Sequence, residues 1–264
     1  MLKYPDINPT IFKLGVIEVR WYGFLYIVGF LVAFFLYRKF MRYRDASLEK
    51  DIYDDLLFNL MLGVIVGGRL GYVVFYNFIH YLKHPLEIFY VWQGGMSFHG
   101  GVLGVIIFGF FFARKHKINF LQYADPIVPL VSIGLGLGRL GNFINAELYG
   151  RVTDVPWGMI FPNSDGLPRH PSQIYESLLE GLLLFLISWL ILKKTRTNGA
   201  VFFSWIGFYG LFRFIVEFFR EPDQHLGFVF FKLTQGQMLS STMILAAIIG
   251  LGFIYHAKSK NTVS

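Results

Sequence analysis

The chain has 264 residues, of which 55% are hydrophobic, 19% are aromatic and only 16% are charged. This composition excludes a disordered chain and an ordinary water-soluble globule of the same size. The absence of cysteine excludes disulfide scaffolds, cysteine-based metal sites and a cysteine nucleophile. The formal net charge of +7 would suit nucleic acid only if the basic residues lay together on one solvated face.

The first 20 residues are not typical of a cleavable signal peptide, because prolines and acidic residues interrupt them. We expect residues 1–20 to form an extracytoplasmic arm on the membrane surface. Seven apolar stretches follow, each close to the roughly 20 residues that a bilayer-spanning helix needs. They cover residues 22–37, 56–77, 96–113, 124–144, 177–192, 200–219 and 237–256. The predicted fold is an all-α integral membrane protein of about seven transmembrane helices, with residues 1–264 as a single multi-pass domain.

The longest connection between these stretches covers residues 145–176 and contains four prolines, Pro156, Pro162, Pro168 and Pro171. Proline interrupts helices, and a non-helical backbone is not stable when it is exposed to hydrocarbon. We therefore expect residues 145–176 to form a small extracytoplasmic cap.

Lysine and arginine residues are distributed unequally between the two predicted sides of the membrane. Thirteen follow the first, third, fifth and seventh spans, and eight lie on the other side. Because cytoplasmic loops carry the excess of Lys and Arg, the C-terminus is expected to be cytoplasmic and the N-terminus extracytoplasmic. Topology thus explains most of the positive charge, and we predict no binding to nucleic acid.

Three further arginines, Arg69, Arg139 and Arg213, lie within or at the ends of apolar stretches. Each would cost about 2.5–3.5 kcal/mol in hydrocarbon, so such residues face a bundle interior or a watery cavity. Polar residues accompany them at helical spacing, which places each set on one helix face. The sets are Tyr209, Arg213 and Glu217; Gln173, Glu176 and Glu180; Arg69, Tyr72 and Tyr76; and Arg139, Asn142 and Asn145. These four polar stripes predict a shared hydrophilic site within the membrane.

Packing roles for two of these arginines stay open. Arg213 and Glu217 could be a structural pair that only holds two helices together. Arg69 adjoins Gly67, Gly68 and Gly71, a pattern typical of close helix packing, and is the arginine for which a structural role is most favoured.

His99 lies in a glycine-rich segment, residues 94–101, where a ligand could approach the backbone closely. No other His, Asp or Glu stands near it at ligand spacing, so we predict no metal site. We also predict no cofactor. A hydrogen-bonded packing role and a proton-transfer role near a substrate both remain possible for His99.

Residues 136–141 fit the dinucleotide-binding pattern G-x-G-x-x-G. That pattern requires a preceding strand in a soluble βαβ unit, and here it lies in an apolar span, so we reject it. We expect these glycines to bring the backbone close to a lipid head group, with Arg139 reaching its phosphate in bidentate geometry. A serine hydrolase is not predicted either, since the chain has no G-x-S-x-G sequence.

Several motifs together resemble the prolipoprotein diacylglyceryl transferase family. The most specific is GRLGNFINAELYGR at residues 138–151, and the others are WYG at 21–23, GGRLGY at 67–72, GGMSFHGG at 94–101, RHPSQIYE at 169–176 and RFIVEFFR at 213–220. The resemblance extends over nearly the whole chain, in the order of the family. Ala146 stands where glycine is expected, a departure that loosens a turn without removing a functional group.

The resemblance implies a multi-pass enzyme of the bacterial cytoplasmic membrane. Such enzymes move the diacylglyceryl group of phosphatidylglycerol to the thiol of the lipobox cysteine in a prolipoprotein signal peptide, and they release glycerol 1-phosphate. The implied partners are therefore phosphatidylglycerol, the prolipoprotein and membrane lipid. Catalysis is expected from His99, Arg139, Arg213 and Glu217. The expected substrate-binding positions are Tyr22, Arg139, Asn142, Asn145, Glu147, Gly150, Glu176, Tyr209 and Arg213, with Asn145 included for its place in a polar stripe.

The attacking thiol would need a base or a nearby cation, because burial raises the pKa of a thiol above its usual value near 8.5. His99 titrates in the suitable range, whereas Glu217 could orient Arg213 or accept the proton itself. Without the resemblance, the residues also allow an anion transporter or channel, or another lipid-modifying enzyme such as a phosphatase. A transporter should show two related halves, and no such symmetry is visible.

Overall fold

The computed structural model describes residues 2–14, 17–91, 94–221, 228–230 and 233–263. The described chain is mostly helical, and every predicted apolar stretch overlaps a helical segment. The helices are α1 (Trp21–Met41), α2 (Lys50–Tyr76), α3 (Phe78–Lys83), α4 (Phe98–Lys115), α5 (Phe120–Ile144), α6 (Ser172–Glu176), α7 (Leu184–Lys194), α8 (Ala200–Val216) and α9 (Gln235–Val263). A π-helical segment, Ser177–Leu183, joins α6 to α7.

Five helical segments of the described chain are long and apolar enough to cross a membrane. They are Trp21–Arg44, Lys50–Tyr76, Phe120–Ile144, Ser172–Lys194 and Gln235–Lys260, and α8 is an apolar helix of shorter length. Large apolar side chains on these helices, such as Phe35, Phe75 and Phe253, are exposed, as expected of surfaces in contact with lipid. The all-α membrane fold is confirmed, while the number of seven spans stays a prediction.

Short strands, absent from the all-α prediction, lie outside the long helices. They are β1 (Leu2–Lys3), β2 (Thr10–Leu14), β3 (Ile17–Arg20), β4 (Met159–Ile160), β5 (Phe228–Phe230) and β6 (Leu233–Thr234). β2 pairs antiparallel with β3, and β5 pairs antiparallel with β6. β1 pairs in parallel with β4, so the N-terminal arm is hydrogen-bonded to the segment between α5 and α6. That segment has no helix from residue 147 to residue 171, all of which are described, and α6 begins at Ser172.

The chain divides into two compact units, one of residues 46–120 and a larger one of residues 1–45 and 121–264. In the smaller unit, α2 and α4 pack through glycines that face each other. A Cβ atom on Gly67 would lie 2.7 Å from the Cα of Gly104, and one on Gly71 would lie 2.7 Å from the Cα of Gly100. Because glycine has no side chain, the two backbones can touch, which confirms the close packing predicted around Gly67 and Gly71.

Arg69 of the smaller unit is buried and uses its guanidinium to hold backbone carbonyls. It donates hydrogen bonds to the carbonyls of Glu87 (2.5 Å), Ile88 (2.8 Å), Gly94 (2.7 Å) and Gly95 (3.1 Å). Because these bonds occupy the guanidinium, the geometry supports the structural role that the sequence favoured for Arg69.

In the larger unit, a buried carboxylate on α5 caps the start of α8. Asp125 accepts hydrogen bonds from the backbone N–H of Gly199 (2.9 Å) and of Phe202 (2.8 Å). The Nε of Arg44 lies 2.9 Å from the same carboxylate. The first N–H groups of a helix lack partners within the helix and carry partial positive charge, so an anion stabilises them. Asp125 thereby fixes α8 against α5.

Candidate active site

Three of the four predicted polar stripes meet in the larger unit as a cluster of ionisable side chains. Arg139 comes from α5, Glu176 from α6, Glu180 from the π-helical segment and Arg213 from α8, while Glu217 and Arg220 follow α8 directly; we call these six residues the charged cluster. The fourth stripe, with Arg69, belongs to the smaller unit. Within the described chain, the three arginines of the cluster match its three glutamates in number, so its formal charges balance.

Glu176 is the centre of the charged cluster and is completely buried. Its Oε2 lies 2.7 Å from the Nε of Arg139, and its Oε1 accepts hydrogen bonds from Arg213 (3.0 Å) and Arg220 (2.7 Å). A buried carboxylate is stable only when it is paired and hydrogen-bonded, and here three guanidinium groups supply that stabilisation.

Glu217 forms the second centre of the charged cluster. Its Oε2 lies 3.1 Å from Nη2 of Arg213 and 3.6 Å from Nε of Arg220. Its Oε1 accepts a hydrogen bond from the Thr234 hydroxyl (3.0 Å). The pair of Arg213 and Glu217 that the sequence suggested is therefore present, but it is part of a larger network.

Close helix packing brings Arg139 to its partners. A Cβ atom on Gly136 of α5 would lie 3.0 Å from the Cα of Gly181 in the π-helical segment. Gly141, further along α5, packs in the same way against the ring of Tyr22, where a Cβ would lie 2.7 Å from Cδ2. For Gly136 and Gly141 the expectation of a close approach to a lipid head group was wrong, because each is covered by a neighbouring helical segment. Gly181 belongs to the π-helical segment, and π-helical turns often occur at functional sites.

The loop after α5 is organised around Glu147. Its carboxylate accepts hydrogen bonds from the side-chain amides of Asn142 (2.8 Å) and Asn145 (3.1 Å), and its backbone carbonyl accepts one from Gln173 (2.6 Å). The hydroxyl of Tyr22 is within electrostatic range of Arg139 and Glu147. Four of the expected substrate-binding residues thus lie in one neighbourhood with Arg139.

Gly150 and Ala146 occupy special backbone positions in the same loop. Gly150 donates its N–H to the His170 carbonyl (2.8 Å) and forms a bridge to Arg220, and a Cβ atom there would lie 2.9 Å from the Cβ of His170. Ala146 has a φ of +52°, a left-handed conformation in which glycine is favoured. The alanine methyl is buried against Tyr4 and Phe161, which offsets part of that strain.

Tyr209 extends the neighbourhood of the charged cluster along α8. It is buried, and its ring stacks on Trp205 with ring centroids 5.3 Å apart. Tyr209 is within electrostatic range of Arg139, Arg213 and Glu180. The stripe predicted for the sixth span is therefore present on one face of α8.

His99 is the second residue of α4 and belongs to the smaller unit. Its side chain lies outside the described part of the structure. The side chain of Ser97 caps the helix by accepting a hydrogen bond from the backbone N–H of Gly100 (3.2 Å). The role expected for His99 stays a prediction.

The family model described as prolipoprotein diacylglyceryl transferase matches residues 9–253. The chain belongs to this family. Three relatives, all named phosphatidylglycerol–prolipoprotein diacylglyceryl transferase, are similar over nearly their whole length. The protein of Geobacter sulfurreducens is 55% identical over 247 residues, covering 94% of this chain and 95% of the relative. That of Pseudoalteromonas atlantica is 55% identical over 249 residues (93% and 88%), and that of Coxiella burnetii is 50% identical over 263 residues (98% and 100%).

Membership of the prolipoprotein diacylglyceryl transferase family confirms the resemblance based on the motifs, and it confirms a transferase. The anion transporter and the other lipid-modifying enzymes are accordingly set aside. A multi-pass membrane protein is also confirmed, because the family assignment and the apolar helices agree.

Sequence reasoning missed two members of the charged cluster of this diacylglyceryl transferase. Arg220 was counted with the loop cations, although it stands seven residues after Arg213 and three after Glu217, a spacing that would place all three on one face if the helix continued. Glu180 was recognised in a polar stripe but not assigned to the site. Its spacing of four residues from Glu176 was the available signal.

Proposed function

We propose that this chain transfers the diacylglyceryl group of phosphatidylglycerol to the thiol of the lipobox cysteine of a prolipoprotein, releasing glycerol 1-phosphate. One observation carries the proposal beyond family membership: Arg139 and Arg213 approach the same buried carboxylate, yet 20% and 17% of their side-chain surfaces remain exposed. Two guanidinium groups that are fixed on the same carboxylate, with part of each accessible, are suited to bind one phosphate group together.

The proposed reaction breaks a glyceryl carbon–oxygen bond and forms a carbon–sulfur bond at the same carbon. The bonding electrons pass to the phosphate oxygen, so the departing glycerol phosphate gains negative charge. Cations that are already in place where this charge develops lower the barrier, and in a site of low dielectric constant this effect is large. Arg139 and Arg213 are proposed for this role.

The thiol proton must pass to a base, and His99 or Glu217 is proposed to accept it. Glu217 is already engaged by Arg213 and by the Thr234 hydroxyl, which favours an orienting role for this carboxylate. His99 is then the preferred base. The test replaces His99 with Asn and measures transfer against pH in detergent. Turnover and a pH profile like those of the unmodified enzyme would exclude His99 as the base.

The remaining proposed binding residues offer polar groups that suit the glycerol head group. Asn142, Asn145 and Glu147 form one hydrogen-bonded set, and Tyr22 and Tyr209 each lie within electrostatic range of Arg139. We propose that Asn142, Glu147 and Tyr22 orient the head group while Arg139 and Arg213 hold its phosphate. Glu176 is proposed to act indirectly, by holding the guanidinium groups of Arg139, Arg213 and Arg220 in place. Gly150 is proposed to act indirectly as well, through its backbone bridge to Arg220.

The proposed location is the bacterial cytoplasmic membrane, with the N-terminus and residues 145–176 outside and the C-terminus in the cytoplasm. The excess of Lys and Arg on one side supports this orientation. The chain lacks cysteine, so a single introduced cysteine would be its only thiol. In intact spheroplasts, an impermeant maleimide should label Asn163→Cys and should not label Lys117→Cys. The reverse pattern would contradict the orientation.

The decisive experiment combines the purified protein with phosphatidylglycerol and a lipobox peptide. We expect glycerol phosphate release and a diacylglyceryl-modified peptide, and we expect neither product with a peptide in which serine replaces the cysteine. Release of glycerol phosphate with both peptides would instead indicate a phospholipase, and no release with either would contradict the proposed function.

A further inference from the structure

Glu180 differs from the other carboxylates of the charged cluster in its contacts. Its side chain is completely buried, and neither of its oxygens has a hydrogen-bond partner among the described residues. Its Oε2 lies 3.9 Å from Nη2 of Arg139, and its Oε1 lies 3.9 Å from Nη1 of Arg213. Each oxygen therefore faces one of the two arginines without a direct bond to either.

The other charged and titratable groups facing Glu180 come from several elements. They are Glu176 on α6, Arg139 on α5, Arg213 and Tyr209 on α8, and Arg220 after α8. Glu176 holds three arginines at 3.0 Å or less, and Glu217 holds two arginines and a hydroxyl. Of these three carboxylates, Glu180 is the one that can gain a proton without breaking a close ion pair, because its nearest guanidinium nitrogens lie 3.9 Å away.

Binding of an anion changes the charge balance of the cluster. Its three arginines and three glutamates cancel, so a phosphodiester anion would add one uncompensated negative charge to a largely buried site. An unpaired buried charge costs several kcal/mol, and such groups commonly bind or release a proton instead. A proton on Glu180 would cancel the added charge and would remove the carboxylate that competes with the phosphate for Arg139 and Arg213.

We propose that Glu180 is a charge-compensating residue: it takes up a proton when the anionic head group of phosphatidylglycerol binds to Arg139 and Arg213, and it releases that proton when the phosphate product leaves. The carboxylate and one proton from water become a carboxylic acid, and no other bond changes. Glu180 is thus a positioning residue, since it acts on the substrate through the two arginines. This inference rests on phosphatidylglycerol being the substrate, as proposed above.

The test counts protons on binding. Short-chain phosphatidylglycerol is titrated calorimetrically into the purified, detergent-solubilised protein between about pH 5.5 and 8.5, in buffers of different ionisation enthalpy. The phosphodiester does not titrate in this range, so any uptake belongs to the protein. Where Glu180 is ionised in the free protein, we expect about one proton taken up per lipid and a Kd that rises up to about tenfold per pH unit.

Variants assign the proton to Glu180. Glu180→Gln should bind the lipid without proton uptake and with a Kd independent of pH. Glu180→Asp should restore the uptake, because it keeps an ionisable group at that position. Glu49→Gln, which removes an exposed carboxylate in the smaller unit, should behave like the unmodified protein. A purely structural role for Glu180 would alter affinity or thermal stability but not the proton count.

Two results would overturn the proposal: binding by the unmodified protein with no proton uptake across this pH range, or uptake that persists unchanged in Glu180→Gln. The first result remains decisive even if Glu180→Gln does not fold. Neither result touches the proposed function, which fails separately if the unmodified protein binds the lipid but transfers nothing to the lipobox peptide.

Discussion

Arg139 on α5 and Arg213 on α8 reach opposite oxygens of the same carboxyl group, that of Glu176. Arg139 Nε lies 2.7 Å from Oε2, and Arg213 Nη1 lies 3.0 Å from Oε1. Glu176 therefore sets the distance between two guanidinium groups that come from different helices. The spacing of the proposed phosphate-binding pair is in this way determined by a buried residue.

Replacing Glu176 with Gln should destabilise the protein and abolish transfer. The variant leaves three largely buried arginines without their shared, fully buried anion, and breaking a buried ion pair in this way costs about 3–5 kcal/mol. Thermal unfolding in detergent and the transfer assay measure the two effects. The matched control is Glu221→Gln, since Glu221 pairs with Arg169 at 2.9 Å but 45% of its side-chain surface is exposed. Such pairs contribute about 0–1 kcal/mol, so equal effects of the two substitutions would contradict the central role of Glu176.

Arg139→Lys and Arg213→Lys should each lower the transfer rate by about 100-fold, although both keep the positive charge. A lysine offers one compact ammonium group and cannot reproduce the planar fork that binds two oxygens at once. Steady-state rates with phosphatidylglycerol and the lipobox peptide provide the measurement. Arg114→Lys is the control, because Arg114 lies exposed at the end of α4. Full activity of both cluster variants would exclude bidentate recognition of the phosphate.

The sequence predicted the helices well because each is marked by a long apolar run, and the cost of unpaired backbone groups in lipid leaves few alternatives to a helix. It also predicted that Arg139, Arg213 and Glu217 share a site, since spacings of three and four residues place polar groups on one face. These signals are local. They required no knowledge of which helices are neighbours.

The features that the sequence did not reveal depend on contacts between distant segments. Gly136 appeared to offer a path to a ligand, but Gly181 covers it, and this contact joins residues 45 positions apart. The pairing of β1 with β4 links residues 2–3 to residues 159–160, which apolar periodicity does not report. Arg220 looked like an ordinary loop cation until the fold placed Glu176 2.7 Å from it.

Gly236→Ala should impair transfer by displacing Glu217. A Cβ atom on Gly236, at the start of α9, would lie 2.7 Å from Cδ and 2.8 Å from Oε1 of Glu217, closer than carbon and oxygen atoms approach in proteins. Gly252 lies on the same helix with nothing within 4 Å of an added Cβ. Gly252→Ala should keep full activity and gain up to about 1 kcal/mol from its higher helix propensity. Transfer rates of the two variants test this prediction. An active Gly236→Ala enzyme would show that the position of Glu217 is not critical for transfer.

Gly104→Ala should destabilise the smaller unit, whereas Gly101→Ala should not. Both residues lie on α4, but a Cβ atom at Gly104 would lie 2.8 Å from the Cα of Gly67, while one at Gly101 would lie 3.6 Å from its nearest neighbour, the Val64 carbonyl oxygen. Overpacking of a close helix contact costs about 1–3 kcal/mol. Thermal unfolding in detergent should therefore show a lower midpoint for Gly104→Ala alone. Equal midpoints would mean that α2 and α4 separate without cost.

The stability of the loop after α5 should fall in mild acid because of His170. Burial lowers the pKa of His170 below its usual value near 6.5, and the negative charge of Asp154 opposes this only in part. The folded state thus binds a proton less readily than the unfolded state. The contribution of neutral His170 is complete above the unfolded pKa and is lost as the pH falls from about 6.5 through the lower folded pKa. We expect the difference in unfolding midpoint between the unmodified protein and His170→Asn to shrink over that interval. The loss of the ring contacts with Tyr175 and Phe219 adds a second difference, which does not change with pH. Asp154→Asn should deepen the acid-dependent loss, because it removes the charge that favours the protonated ring. A difference that stays constant from pH 5 to pH 8 would show that His170 does not contribute to the acid sensitivity.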